Sequence, residues 1–113
     1  MNDTIAKIID NLEDHKAEHI EAIDVRHLTG VTDYMIICTA RSHVHARAIS
    51  KHFCDFSKDI GIRPAAIEGE DDGEWILIDL SDYVIHIMLE ATREFYSLEK
   101  LWDITQELHE QAD

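Results

Sequence analysis

The stretch Trp75-Ile76-Leu77-Ile78-Asp79-Leu80-Ser81-Asp82-Tyr83-Val84-Ile85-His86-Ile87-Met88-Leu89 decides the fold. Two apolar runs of strand length are divided by a short polar break, Ser81-Asp82. Such a break between apolar runs reads as a tight hairpin. With Ser81-Asp82 as the turn, Leu80 pairs with Tyr83, Asp79 with Val84, Leu77 with His86 and Trp75 with Met88. Side chains alternate along a strand. One face therefore carries Ile76, Ile78, Leu80, Tyr83, Ile85, Ile87 and Leu89, aliphatic apart from one tyrosine, and is the expected core face. The other carries Trp75, Leu77, Asp79, Val84, His86 and Met88. An aromatic and a few polar groups on an apolar ground fit an interface with another molecule. A one-residue slip would scramble the assignment.

Working outward, Glu68 to Glu74 is a dense acidic turn. It is not a calcium-binding loop, because the ligand spacing fails and no closing glutamate falls at the twelfth position. It reads either as a solvated turn or as an electrostatic guide toward a basic partner. Pro64 to Glu68 is a candidate short strand, with proline suited to its start or to a sheet edge. Residues 43–60 have the spacing of the longest helix: Ile49, Phe53, Phe56 and Ile60 form a stripe, with Ala46 and Cys54 beside it. Ser42 is its natural N-cap and Gly61 its natural stop. Tyr34 to Thr39 is almost wholly apolar, as in a strand buried on both faces. Residues 19–26 alternate imperfectly, as a strand, and Leu28 to Thr32 reads as a turn. Ile5, Ile8, Ile9 and Leu12 predict a helix over 3–13, capped by Asp3 or Asn2. Residues 91–96 suit a short helix, and Leu98, Leu101, Trp102 and Leu108 suggest a last one. The order is helix, strand, strand, helix, three strands, helix. It predicts a single α/β (α+β) domain over 1–113 with a mixed sheet and helices mainly on one face, leaving the other side available. Residues after about 103 read as a C-terminal helical tail.

Composition narrows the function. The 113-residue chain carries a net charge of -14. Phosphate backbones would repel it on average, so little or no direct nucleic-acid binding is expected and a basic protein partner is favoured. No apolar stretch reaches the ~20 residues of a spanning helix. The segment Met1-Asn2-Asp3-Thr4 lacks the charge and hydropathy of a signal peptide. A cytoplasmic protein is the expectation. Cys38 and Cys54 sit in apolar contexts and read as buried free thiols.

Catalytic motifs are thin. There is no G-x-S-x-G, Walker or G-x-G-x-x-G sequence. His43 and His45 do not share a helix face; His52 could share that of His45, but no carboxylate completes a metal-ligand set. Cys54 and His52 point apart on a helix. Asp79 and Asp82 bring to mind the paired acids that hold magnesium in nucleotidyl transfer. They lie across a turn, however, and Thr39-Ala40-Arg41-Ser42 lacks the glycine of a phosphate cradle. Ser81 and Asp82 have an ordinary role in the turn. Trp102 follows Leu98 and Leu101 at helical spacing and reads as core, whereas Trp75 heads a strand on the mixed face. Arg93 and Tyr96 share a helix face, and Arg93 also suits pairing with a nearby carboxylate.

Taken together, Asp24 to Thr29, Thr32 to Thr39, Glu68-Gly69, Trp75 to Asp79, Val84 to Met88 and Arg93-Glu94-Phe95-Tyr96-Ser97-Leu98-Glu99-Lys100-Leu101-Trp102 resemble the ribosomal silencing factor family, also called Iojap-like or RsfS. The resemblance runs from about Ile5 to Trp102. It departs at Ala40, where the family usually has glycine before the helix. The resemblance implies a fold related to nucleotidyltransferases without their chemistry, and no cofactor. It implies binding to ribosomal protein L fourteen on the large ribosomal subunit, which blocks joining of the small subunit and represses translation in starvation or stationary phase. The partner surface expected on this basis has Trp75, Leu77 and His86 at its apolar centre. Asp79, Asp82, Glu68 and Glu70 face basic side chains, with Arg93 and Tyr96 beside them. The competing readings are a nucleotidyltransferase-like enzyme with magnesium at Asp79 and Asp82, and an adaptor whose mixed face closes on itself as a homodimer.

Overall fold

A computed structural model describes residues 3–28, 30 and 32–96. The expected last helix, Trp102 and the tail lie outside the described residues. The elements are α1 (Asp3–Asp14), β1 (Glu18–Asp24), β2 (Tyr34–Ala40), α2 (His43–Asp59), β3 (Ala66–Glu68), β4 (Trp75–Asp79), β5 (Tyr83–Leu89) and α3 (Glu90–Tyr96). The strands form one sheet in the order β1-β2-β5-β4-β3. Only β2 and β5, at its centre, run parallel; the other pairs are antiparallel.

The hairpin has the expected register: Asp79 opposes Val84, Leu77 opposes His86 and Trp75 opposes Met88. Its turn is tighter than the sequence suggests. The Leu80 N–H donates to the Tyr83 carbonyl at 2.8 Å and the Asp82 N–H donates to the Leu80 carbonyl at 3.0 Å. Ser81 lies at φ 74 between the latter pair, the conformation of a γ-turn. The Asp79 carboxylate supports it by accepting the Ser81 N–H at 2.8 Å.

α1 and α2 pack on the aliphatic face. Ile8, Leu12, Ala46, Ile49, Phe53 and Cys54 from the helices meet Ile36, Cys38, Ile76, Ile78, Leu80, Ile85 and Ile87 from the strands. Tyr83 and Leu89 are half-buried against the same cluster. The buried stripe of α2 is Ala46, Ile49, Ser50, Phe53, Cys54 and Ser57, displaced from the Ile49–Ile60 line expected from hydropathy. Phe56 and Ile60 are only half-buried. The Ser57 hydroxyl is satisfied by donating to the Cys54 carbonyl at 3.0 Å, whereas the Ser50 hydroxyl is buried without a hydrogen-bond partner among the described residues, so Ser50 is accommodated by its small size alone.

Helix ends follow the sequence closely. The Ser42 hydroxyl accepts the His45 N–H at 3.0 Å. At the other end Gly61 takes φ 86, with Gly61 N–H to Lys58 O at 3.0 Å and Ile62 N–H to Ser57 O at 2.8 Å, a Schellman stop. Ala40 stands as the buried last residue of β2, and the turn into α2 is made by Arg41 and Ser42.

The second face of the sheet is not bare. Val25, Met35, Ile37 and Met88 form a separate buried cluster there, with Ile23 and Trp75 packed against it. α3 folds back over the neighbouring end of this face, so the two-sided burial of β2 is met by two different covers. The irregularity of β1 is a bulge between Glu18 and Glu21, with His19 at φ 49. It serves that second cover, because the His19 carbonyl accepts from Arg93 of α3 at 2.6 Å.

Candidate functional site: the Trp75 face of the sheet

Register places the side chains of the second face in rows across the strands. Glu21, Ile37, His86, Leu77 and Glu68 form one row, and Met35, Val84, Asp79 and Ala66 the next. Thr39, Met88 and Trp75 lie in a third row, nearest α3.

Trp75 is half-buried and its indole N–H donates to His86 Nδ1 at 3.0 Å. The two ring centroids are 5.9 Å apart. His86 itself is 7% exposed, and burial pushes its pKa down to about 4. The imidazole is therefore neutral near pH 7. Nδ1 is the acceptor and the proton sits on Nε2, a tautomer inferred from the bond. A proton on Nδ1 would face the indole N–H with a second donor, so this bond also favours the neutral ring. Tyr96 packs its ring 4.7 Å from that of Trp75 and is 51% exposed. Phe95, 82% exposed, stands edge-on to Tyr96 at 5.1 Å.

Arg93 is committed within the protein. Besides the His19 carbonyl, it donates to Thr39 Oγ1 at 2.9 Å and pairs with Glu21 at 3.6 Å. It pins α3 to β1 and β2, and α3 in turn brings Tyr96 to Trp75.

The acids divide by position. Near β1, Glu18 pairs with Arg41, Glu21 with Arg93 and Asp24 with Arg26. The Arg26 hydrogen bonds hold the Asp24 pKa down at about 2. At the opposite edge, Glu68, Glu70, Asp71, Asp72 and Glu74 have no ion-pair partner among the described residues. The backbone of that turn is fixed: His43 Nδ1–H donates to the Asp72 carbonyl at 2.7 Å, and Gly73 N–H donates to Gly69 O at 2.9 Å. Gly69 sits at φ 85 against the Trp75 carbonyl, where an added Cβ would collide. The acidic turn is thus in backbone contact with the residue that heads the apolar centre.

Leu77 and Asp79 are half-buried, and Glu68, Glu70 and Asp82 are exposed. Asp82 anchors the hairpin to β2, its carbonyl accepting from Asp33 and Tyr34, each at 3.0 Å. The Asp79 carboxylate accepts the Ser81 N–H, whereas Asp82 acts in the turn through its backbone. Among the described residues no three His, Cys, Asp or Glu side chains converge on a common point. His45 uses both ring nitrogens, accepting the Arg41 N–H at 3.0 Å and donating to the His15 carbonyl at 2.9 Å. His15 and His52 stack at 4.2 Å. Cys38 and Cys54 are free and buried, and desolvation pushes the Cys38 thiol up to about 12. Among the described residues no helix is long and apolar enough to cross a membrane.

Sequence reasoning placed Trp75, Leu77, Asp79 and His86 on one face but overlooked Phe95 and the return of α3. The signal was present: an apolar Met35, Ile37 and Met88 on the supposedly open face require a cover.

Comparison with known proteins gives this arrangement its context. Residues 1–113 match the model of the family described as "Ribosomal silencing factor during starvation". The chain is 38% identical over 90 residues to the ribosomal silencing factor RsfS of Bacillus subtilis, covering 80% of this chain and 76% of that protein. It is 34% identical over 103 residues to a Mus musculus protein named "Mitochondrial assembly of ribosomal large subunit protein 1", of which the match covers 45%. The crystal structure of a Chromobacterium violaceum protein has the same fold at a TM-score of 0.85 and 35% identity, covering 91% of this chain and 88% of that one. The chain belongs to the ribosomal silencing factor family.

Proposed function

We propose that this protein is a cytoplasmic translational repressor, not an enzyme. It docks on the large ribosomal subunit through ribosomal protein L fourteen, blocks joining of the small subunit and lowers translation in starvation or stationary phase. Family membership supports ribosome-associated silencing, and the name of the mouse relative points to the large subunit. The observation that carries the docking surface is the Trp75 face, an apolar centre of Trp75 and Leu77 rimmed on one edge by unpaired acids. Ribosomal proteins are typically basic, so a net charge of -14 steers the protein to exposed protein and away from bare phosphate. In this reading Glu68, Glu70, Asp79 and Asp82 meet basic side chains, and Tyr96 extends the aromatic contact. His86 and Arg93 act from behind, His86 under Trp75 and Arg93 under α3.

The test is co-sedimentation with purified large subunits, followed by addition of small subunits. Binding to the large subunit with loss of joined ribosomes supports the proposal. Joining that proceeds unchanged at saturating protein overturns it. A homodimer through the same face would compete with docking, and light scattering with and without large subunits separates the two.

A further inference from the structure

Trp75 has its polar atom turned inward, toward the neighbouring strand. Its N–H is 3.0 Å from His86 Nδ1, and that imidazole is 7% exposed, too deep to reach a partner broadly. Among the described residues Nδ1 has no other donor and the indole N–H no other acceptor. Tyr96 flanks the same ring at 4.7 Å. The indole is thereby held from two directions, by a hydrogen bond beneath and a tilted ring beside it.

We propose that His86 is the positioning residue of the docking surface: its Nδ1 fixes the angle of the Trp75 indole, so that the partner meets ring carbon and not the N–H. The proposal rests on the docking reading above and adds what Trp75 offers the partner. With the N–H used internally, the exposed part of the ring suits an apolar stem or a cationic side chain of a basic partner, and not a hydrogen-bond acceptor. A partner that needed the N–H would first have to break the bond to His86.

Asparagine places an amide oxygen close to where Nδ1 lies, and leucine places a methyl there. His86→Leu, His86→Asn, Trp75→Phe and the Trp75→Phe/His86→Leu double variant separate positioning from contact. Circular dichroism and the urea midpoint establish which variants are folded. Nuclear magnetic resonance of the indole N–H, assigned as the signal lost in Trp75→Phe, reports the bond in the free protein. It should shift in His86→Leu and return toward wild type in His86→Asn. Large-subunit binding should weaken about tenfold in His86→Leu, the scale of one unpaired buried donor. It should recover to within about threefold in His86→Asn, and His86→Leu should cost nothing further once Trp75 is Phe.

An indole signal unmoved in His86→Leu overturns the proposal whatever the ribosome does. So does equal weakening by Leu and Asn, or a full His86→Leu effect in the Trp75→Phe background, since either marks His86 as a direct contact. A wild-type protein that does not bind large subunits at all removes the docking reading. In that case the indole signal still reports on the His86–Trp75 bond.

Discussion

On the side of the sheet under α1 and α2, strands β4 and β5 present Ile76, Ile78, Leu80, Tyr83, Ile85, Ile87 and Leu89 to helical side chains such as Phe53. On the other side the same two strands present Trp75, Leu77, Asp79, Val84, His86 and Met88. The first face is closed by long amphipathic helices, and Tyr83 is the one ionisable side chain that β4 and β5 present to it. The second is closed only partly, by a seven-residue helix latched through one arginine, and it keeps an imidazole inside and acids at its rim. Burial against a helix rewards uniform apolar surface. Recognition needs apolar area that stays reachable, with polar groups placed to orient it. One hairpin supplies both because alternation sends neighbouring residues to opposite sides.

The comparison breaks most visibly at Phe53, fully buried under the aliphatic face. Phe53→Ala should cost about 3–5 kcal/mol in urea unfolding, enough to endanger the fold. Acid should strike the other face. His86 has an ordinary pKa of 6.5 and a folded value of about 4, so its contribution is intact above 6.5 and is lost as pH falls toward 4. The loss approaches about 3 kcal/mol, at about 1.4 kcal/mol per pH unit. Urea midpoints measured from pH 7 to 4 should fall less steeply in His86→Asn than in wild type. Gly69→Ala puts a Cβ against the Trp75 carbonyl at a φ that side chains rarely adopt, and should cost about 1–3 kcal/mol. It should disturb the acidic rim and Trp75 together, seen as shifted amide signals in both. The smallest effect is at the turn that assigns residues to faces: Ser81→Gly relieves φ 74 and should raise stability by about 1 kcal/mol.

Most of the sheet was legible because the polar break Ser81-Asp82 divides two apolar runs of strand length, and taking it as the turn sets the β4–β5 register. The caps at Ser42 and Gly61 were legible because they depend on local chemistry. Two features were not. The buried stripe of α2 includes Ser50 and Ser57, whose small size lets them sit inside although their polarity reads as outside. The return of α3 depends on Arg93 reaching the His19 carbonyl, a contact spanning 74 positions that no local pattern encodes. The near-total apolarity of β2 already called for a second cover, in conflict with a sheet covered on one side. The Trp75–His86 bond was reachable from the register, since the two residues share a face on adjacent strands. Its direction, with the N–H turned inward, came only from the side-chain geometry.

The division of labour between the faces is tested most directly by the affinity of Trp75→Ala for large ribosomal subunits, measured beside its unfolding midpoint. The account predicts a folded protein whose binding is weaker by about thirtyfold, the loss of roughly 2 kcal/mol expected for an aromatic anchor. A folded Trp75→Ala protein that binds large subunits as wild type does would contradict it.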